Sequence, residues 1–283
     1  MQVTLWGTRG SIPAPGPETY RYGGNTSCVE IRGSEDTLLI LDAGSGILRL
    51  AASLPDSLRR VDILLTHLHL DHILGLGFFG PLRDQNCQVH IWGPASTTFS
   101  LKEGLSRYLS PPLFPVFMRD LQSDPILHAV AGDEFEIGEF RISSAPVVHY
   151  DPTLGFRITS SGASVAYLPD HEPALGAEDF PMSGEWTSGY ALAEGADLLI
   201  HDAQYTREEY QDRVGWGHSS IPDACDFAAM TGVNHLVPFH HDPGHSDTDL
   251  DRMFGQQLHS QRLPFIVTPG AEGMTFELGS DHP

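Results

Sequence analysis

The segment Thr66-His67-Leu68-His69-Leu70-Asp71-His72 constrains this chain more than any other, because it places three histidines and an aspartate within six residues. Neutral imidazole binds zinc, iron or nickel, and a carboxylate among the imidazoles provides a ligand for a second cation. A single histidine at this position would more often be a packed core or turn residue. Four ligand-type side chains at alternating and adjacent spacing instead indicate a metal site.

The metal-ligand segment follows a predicted strand. Residues Val61-Asp62-Ile63-Leu64-Leu65 form a short, apolar, β-branched run, and Gly75 and Gly77 mark the residues after the segment as loop. Ligands on the loop that leaves the carboxyl end of a strand are typical of sites in α/β proteins. The sequence therefore predicts a metal site at a strand end.

This spacing resembles the His-x-His-x-Asp-His signature of the metallo-β-lactamase superfamily. The resemblance implies an α/β (α+β) fold, a four-layer αββα sandwich that carries one or two metals at its edge. We expect a single domain over residues 1–283, because no composition break, Gly/Ser linker or internal repeat divides the chain. The signature identifies the superfamily but not the reaction.

The resemblance also assigns the remaining ligands, each at the end of a predicted strand. His149 matches the third imidazole, Asp170 the bridging carboxylate and His240 the last ligand. Asp170 can bridge because a carboxylate has two oxygens and can hold two cations at once. The implied ligand sets are His67, His69 and His149 for one metal and Asp71, His72 and His240 for the other.

These ligands imply two divalent metal ions, with zinc as the first choice and manganese or iron as alternatives. Asp71 is expected to serve in catalysis as well as in metal binding. Asp42 ends the strand at 37–41 and is either a simple turn residue or a carboxylate that orients the metal-binding loop. The sequence leaves the roles of four further histidines open: His171, His201, His241 and His245.

The segment Gly217-His218-Ser219-Ser220 favours one reaction. It resembles the His-Ser-Thr motif of the phosphodiesterase branch of the superfamily, which includes the tRNA-processing RNase Z enzymes and small cyclic phosphodiesterases. In that branch the histidine is credited with protonating the leaving oxygen. We therefore expect a metal-dependent hydrolase, a phosphodiesterase in which a metal-bound hydroxide attacks and His218 is the general acid. A helix-entry histidine without a catalytic part is the alternative.

Charge and spacing favour a small substrate. The chain has 16 Lys and Arg against 37 Asp and Glu, a net charge of −21 that repels phosphate polymers. Most bacterial RNase Z forms carry a long basic tRNA-binding arm between the third histidine and the bridging aspartate, whereas the interval from His149 to Asp170 has room for a hairpin only. We expect a small anionic phosphodiester, above all a cyclic nucleotide, and no nucleic acid polymer.

Two alternative functions stay open. Another hydrolase of the same superfamily, such as a lactonase, a β-lactamase or another ester or amide hydrolase, would use the same metal ligands. A diiron redox or sensor module is of a different class. His69 argues against it, because a glutamate commonly stands at that position in the diiron branch.

The N-terminal residues, the length of the apolar runs and the number of cysteines give expectations about cellular location and assembly. The N-terminus has no basic-then-apolar leader, and no apolar run reaches the roughly 18 to 20 residues of a membrane span, so we expect a soluble, cytoplasmic protein without a membrane partner. Cys28, Cys87 and Cys225 are odd in number, which favours buried thiols over disulfides or a cysteine-rich zinc site. A homodimer remains open.

Two loops are candidates for contact with a substrate. Arg9, Arg21 and Asn25 are either anion contacts at the mouth of the cleft or solvated loop residues. The segment 110–117 contains three prolines and two phenylalanines and is an aromatic lid over the active site, surface packing or a dimer contact.

Overall fold

Short apolar segments build two β-sheets that pack face to face. The computed structural model describes residues 1–33, 37–173, 175, 180, 183–260 and 262–279. The strands in these residues are β1 Gln2–Gly7, β2 Cys28–Arg32, β3 Leu38–Leu41, β4 Arg60–Leu64, β5 Gln88–Pro94, β6 Ile126–Val130, β7 Glu134–Ile137, β8 Phe140–Pro146, β9 Leu154–Ser160, β10 Ala163–Leu168, β11 Leu198–Asp202, β12 His235–Phe239, β13 Ile266–Val267 and β14 Thr275–Glu277.

The helices in the same residues are α1 Ile47–Ser53, α2 Leu70–Ile73, α3 Leu101–Tyr108, α4 Tyr190–Ala193, α5 Arg207–Gln211, α6 Ile221–Thr231 and α7 Asp247–Ser260. Short 3-10 turns occur at Pro17–Thr19, Leu76–Phe78, Gly80–Arg83, Met118–Asp120 and Gly184–Trp186. No helix in the described part of the chain is both long and apolar enough to cross a bilayer.

Both sheets are mixed. The first has the strand order β14-β1-β2-β3-β4-β5-β6 and the second β13-β12-β11-β10-β9-β8-β7. Strands β3 to β6 are parallel to one another, as are β10 to β13, whereas the other neighbours are antiparallel. In parallel strands the carboxyl ends lie at one edge, so each sheet brings several strand ends together there.

Three apolar layers hold the four layers of secondary structure together. The central layer fills the space between the sheets with residues such as Leu39, Phe156 and Tyr167. A second layer packs the outer face of the first sheet on α1 and α3, and a third packs the outer face of the second sheet on α4 and α6. The expected αββα sandwich is confirmed.

The strands predicted at the candidate site also agree with the structure. The predicted strand 61–65 is β4, and the strands expected before His149, Asp170 and His240 are β8, β10 and β12. Their bounds differ from the prediction by a few residues at most. The three cysteines are free and buried, as expected.

Helix α1 offers a matched test of the packing between helix and sheet. Leu50 is fully buried against the first sheet, whereas Leu48 on the same helix is 44 % exposed. We expect Leu50→Ala to lower the free energy of unfolding by about 2–5 kcal/mol, because it removes buried apolar contacts and leaves a cavity. Leu48→Ala should cost less than about 1 kcal/mol. Urea unfolding measures both, and equal losses would contradict this packing.

Candidate metal centre and active site

Seven side chains meet where strands of both sheets end. The loop after β4 and the start of α2 carry His67, His69, Asp71 and His72, the loop after β8 carries His149, and the residues just after β10 and β12 are Asp170 and His240. Their ligand atoms form two groups whose members lie within 4.8 Å of one another, His67, His69, His149 and Asp170, and Asp71, His72 and His240. A third group of this kind joins Asp170 and His240 to His218. The structure therefore brings together all seven ligands expected from the sequence.

Hydrogen bonds on one ring nitrogen orient three of the imidazoles. Nδ1 of His72 lies 2.8 Å from Oδ2 of Asp42, Nδ1 of His149 lies 2.8 Å from the Gly217 carbonyl oxygen, and Nδ1 of His240 lies 3.0 Å from Oε1 of Gln204. These oxygens only accept, so Nδ1 must carry the proton. Each Nε2 then carries a lone pair that can bind a cation. Nε2 of His149 and Nε2 of His240 face other candidate ligands, 3.2 Å from Nδ1 of His69 and 3.1 Å from Oδ2 of Asp71.

The donor atoms fit a cation in a second way. Three buried atoms of the cluster have no hydrogen-bond partner among the described residues: Nε2 of His67, Nε2 of His72 and Oδ1 of Asp170. Buried polar atoms are rarely left without partners, because each lost hydrogen bond costs about 1–3 kcal/mol. A set of nitrogens and carboxylate oxygens aimed at common points has the chemistry of a divalent-metal site.

The buried negative charges of the cluster also favour the binding of cations. Burial would raise the pKa of Asp170, but His240 and His72 outweigh it and hold that pKa well below its usual range. Burial would lower the pKa of His72, but Asp170 and Asp71 raise it well above its usual range. Two buried carboxylates thus draw positive charge into the site. Divalent metal ions supply that charge while leaving the imidazoles neutral.

Asp42 supports the metal-binding loop from beneath. It is fully buried, and its carboxylate accepts hydrogen bonds from His72, from the backbone and hydroxyl of Thr66, and from the hydroxyl of Tyr167. Its φ of 57° lies in the left-handed region, a strained conformation for an aspartate. The structure favours the orienting role of Asp42 over a simple turn.

His218 lies beside both ligand groups. Its ring stacks on His240 with 5.0 Å between centroids, and its Nδ1 lies 2.7 Å from Oδ2 of Asp202. Burial would lower the pKa of His218, but Asp202 raises it to about 9. Helix α6 starts directly afterwards, with Ser220 as N-cap and Pro222 in the first turn. Asp202 therefore holds the His218 ring in place beside the candidate ligands.

The four histidines whose roles the sequence leaves open lie outside the two groups of candidate ligands. His171 and His201 form a buried pair, with 2.9 Å between Nδ1 and Nε2. Nε2 of His241 lies 2.8 Å from the Gly270 carbonyl oxygen, and Nε2 of His245 lies 2.8 Å from Glu209.

The two candidate substrate loops have structural contacts instead. Arg9 is fully buried and donates to the carbonyls of Gly23, Asp242 and His245, Arg21 pairs with Asp251, and Asn25 donates to Glu272. Arg9 is therefore neither a solvated loop residue nor an anion contact at a cleft mouth, because it is fully buried. Arg21 and Asn25 bind carboxylates elsewhere in the chain, which does not support the anion-contact alternative for them.

The lid alternative for residues 110–117 is also largely wrong. Phe114 is buried against Phe78 and Tyr108, and Phe117 stacks with Arg119. Only Leu113, which is exposed, lines the cleft beside His69. The aromatic residues therefore serve packing.

Three supporting residues were missed by the sequence analysis. Gln204 orients His240, Asp202 orients His218, and the amide of Ser11 donates to Oδ2 of Asp71 over 2.8 Å. Asp202 and Gln204 follow a predicted strand in the polar stretch 201–205, which was the available signal. Ser11 gave no signal, since its contact joins distant parts of the chain.

Asp42 permits a sharp test of metal binding. In Asp42→Asn an amide replaces one carboxylate oxygen, so two of the donors face an N–H group and the His72 ring loses its orientation. We expect zinc affinity to fall by roughly 10- to 100-fold. Asp62→Asn is the matched control, because Asp62 is equally buried but binds Arg60 and Trp92 away from the cluster. Competition with a chromophoric chelator measures both, and equal affinities would contradict the role of Asp42.

Comparison with known proteins agrees with this geometry. A family model described as the beta-lactamase superfamily domain matches residues 37–241. Curated relatives include a ribonuclease Z from Thermococcus onnurineus, 23 % identical with 99 % of this chain and 96 % of the relative covered. Another is a ribonuclease Z from Mycobacterium bovis, 29 % identical with 86 % of each chain covered.

Solved structures share the fold. The metallo-beta-lactamase fold protein YhfI from Bacillus subtilis has a TM-score of 0.71 at 21 % identity, with 97 % of this chain and 98 % of that chain covered. The short form of human tRNase Z has a TM-score of 0.68 at 22 % identity, with 98 % and 99 % covered. The chain therefore belongs to the beta-lactamase superfamily, as an RNase Z-like, metal-dependent hydrolase with the metallo-β-lactamase fold.

Proposed function

We propose that this protein is a two-metal phosphodiesterase that hydrolyses a small anionic phosphodiester, above all a cyclic nucleotide. The observation that carries the proposal is the Asp202–His218 pair, joined over 2.7 Å and placed against both groups of candidate ligands. Phosphodiester hydrolysis requires an acid of this kind, because an alkoxide is a poor leaving group. Hydrolases of activated esters and lactams have less need of one.

The candidate ligands divide between two cations, with zinc as the first choice. His67, His69 and His149 would hold one, and Asp71, His72 and His240 the other. Oδ2 of Asp170 lies 3.7 Å from His67 and 3.6 Å from His149, whereas its Oδ1 lies 3.0 Å from His72 and 3.4 Å from His240. The two oxygens thus face different groups, which supports a bridging role for Asp170.

When bound, two such cations activate water and neutralise the charge of a phosphate. The protein's own residues supply orientation and the proton. The Ser11 amide donates to Asp71, which fixes this carboxylate among the candidate ligands. Asp202 raises the pKa of His218 to about 9, so this ring can carry the proton, and Nε2 is the nitrogen left to donate it. Bound cations would lower that pKa towards the range in which an acid works best.

The interval between His149 and Asp170 supports a small substrate. Strands β9 and β10 are joined by Ser161 and Gly162 alone, both at positive φ, as in a tight two-residue hairpin turn. This interval therefore holds a hairpin and no arm that could grip tRNA. The net charge of −21 also disfavours the binding of a phosphate polymer such as tRNA.

A tRNA precursor is the second candidate substrate. The curated relatives from Thermococcus onnurineus and Mycobacterium bovis are named ribonuclease Z. A 3′-extended tRNA transcript should therefore be tested beside the cyclic nucleotides. Preferred cleavage of that transcript would replace the small-substrate proposal while keeping the two-metal mechanism.

The first prediction concerns substrate and metal. We expect the purified protein, with zinc or manganese restored, to hydrolyse 2′,3′- or 3′,5′-cyclic nucleotides, and a chelator to abolish turnover until metal returns. Chromatographic detection of the nucleoside monophosphate measures this directly. Full occupancy by two metals without turnover of any cyclic or aryl phosphodiester would contradict the proposal and direct attention to lactones and lactams.

The second prediction separates metal binding from proton transfer. Asp170→Ala should lose both metal and activity. His218→Ala should keep both metals but lose turnover by roughly 10² to 10⁴, since only the acid is removed. His259→Ala, at an exposed position on α7, is the matched control and should retain both. Near-normal turnover in His218→Ala would remove the assignment of that residue.

A further inference from the structure

Two clefts lie beside the candidate metal site, one containing His69 and the other containing His218. The first contains His69 and is lined largely by apolar residues, among them Leu68, Phe99 and Leu113. The second contains His218 and has a volume of about 460 Å³, which suits a small ligand. Tyr150, Tyr205, Arg213 and Trp216 line this second cleft, which we call the His218 cleft.

The aromatic residues of the His218 cleft are available to a ligand. Tyr150 is 61 % exposed and Trp216 is 56 % exposed, although side chains of this size usually bury most of their surface. Tyr205 forms the floor of the cleft, and its ring stands at 90° to that of His218 with 6.0 Å between centroids. The cleft thus offers flat apolar surfaces directly beside the proposed acid.

Arg213 adds a cation to these surfaces. Its guanidinium lies over the Tyr205 ring, 5.0 Å from the centroid, and donates to the Glu209 carbonyl over 3.0 Å. Among the described residues no carboxylate pairs with it, in a chain whose net charge is −21. The remaining N–H groups of Arg213 are therefore free to donate to a ligand.

A buried carboxylate holds the cleft in shape. Glu172 is fully buried and accepts hydrogen bonds from the amides of Gly215 and Gly217, both over 2.7 Å, and from the hydroxyl of Tyr210 over 2.8 Å. The backbone of Trp216 is thus fixed on both sides. An exposed tryptophan on an anchored loop loses little conformational freedom when it binds a ligand.

We propose that the His218 cleft binds the aromatic base of the cyclic nucleotide. This inference rests on the proposed function, since the acid must lie next to the ester oxygen whose bond to phosphorus breaks. In a cyclic nucleotide that oxygen belongs to the ribose and stays on it after the ring opens, so the nucleoside extends from His218 into this cleft. Its base stacks on Trp216 or Tyr150, and Arg213 donates to acceptor atoms on the edge of the base. Guanine presents two adjacent acceptors that suit a guanidinium, so guanosine is the probe.

Substrate selectivity provides the first test. We compare kcat/KM for 2′,3′-cyclic GMP with kcat/KM for glycerol 1,2-cyclic phosphate, which lacks a base. In Trp216→Ala the ratio of the two should fall by roughly 5- to 100-fold, the range that base stacking on an aromatic side chain contributes. Leu113→Ala truncates an exposed apolar side chain in the cleft that contains His69, so it should leave the ratio unchanged. An unchanged ratio in Trp216→Ala, or a fall in Leu113→Ala alone, would overturn the proposal.

Binding without catalysis provides the second test. Saturation-transfer NMR of guanosine with the metal-loaded protein should show transfer to the guanine ring in the wild type and its loss in Trp216→Ala. Hydrolysis of cyclic GMP without guanosine binding would overturn the cleft assignment and leave the phosphodiesterase intact. Guanosine binding that depends on Trp216, without hydrolysis of any diester, would support the cleft and contradict the proposed reaction.

Discussion

The burial of two carboxylates among imidazoles is the constraint on which this structure depends. Asp71 is 6 % exposed and Asp170 is 2 % exposed, and they share one pocket. Removing a carboxylate from water costs several kcal/mol unless positive charge compensates it. The histidines around these aspartates present nitrogens to the same points, so bound cations would stabilise the pocket. The two mixed sheets supply the framework, because they bring four separate strand ends together at one edge.

Hydrogen bonds from neighbouring residues orient the side chains that line this pocket. Asp42 orients the loop after β4 and Gln204 orients His240, so the metal-facing nitrogens are selected before any cation binds. Asp202 and Glu172 act in the same way on His218 and on the loop before it. The proposed acid is therefore held as firmly as the candidate metal ligands.

Much of this arrangement was predictable from local sequence. Each ligand follows an apolar segment of strand length, and α6 begins with a serine and a proline, so strand ends and the helix start were readable from neighbouring residues. The contacts that complete the site were not. Glu172 binds amides of a loop 43 and 45 residues away, and Arg9 donates to a carbonyl 236 residues away. Such contacts depend on how the sheets pack, which local patterns do not encode. Local composition also fails for residues 110–117. Their prolines and phenylalanines are equally compatible with a lid and with the packing role that the structure shows.

The central claim is that two cations lie on either side of Asp170. Anomalous X-ray diffraction at the absorption edge of the metal in crystals of the loaded protein tests it most directly. The account predicts two peaks about 3.5–4 Å apart, one among His67, His69 and His149 and the other among Asp71, His72 and His240. A single peak, or ions bound only elsewhere on this acidic protein, would contradict it.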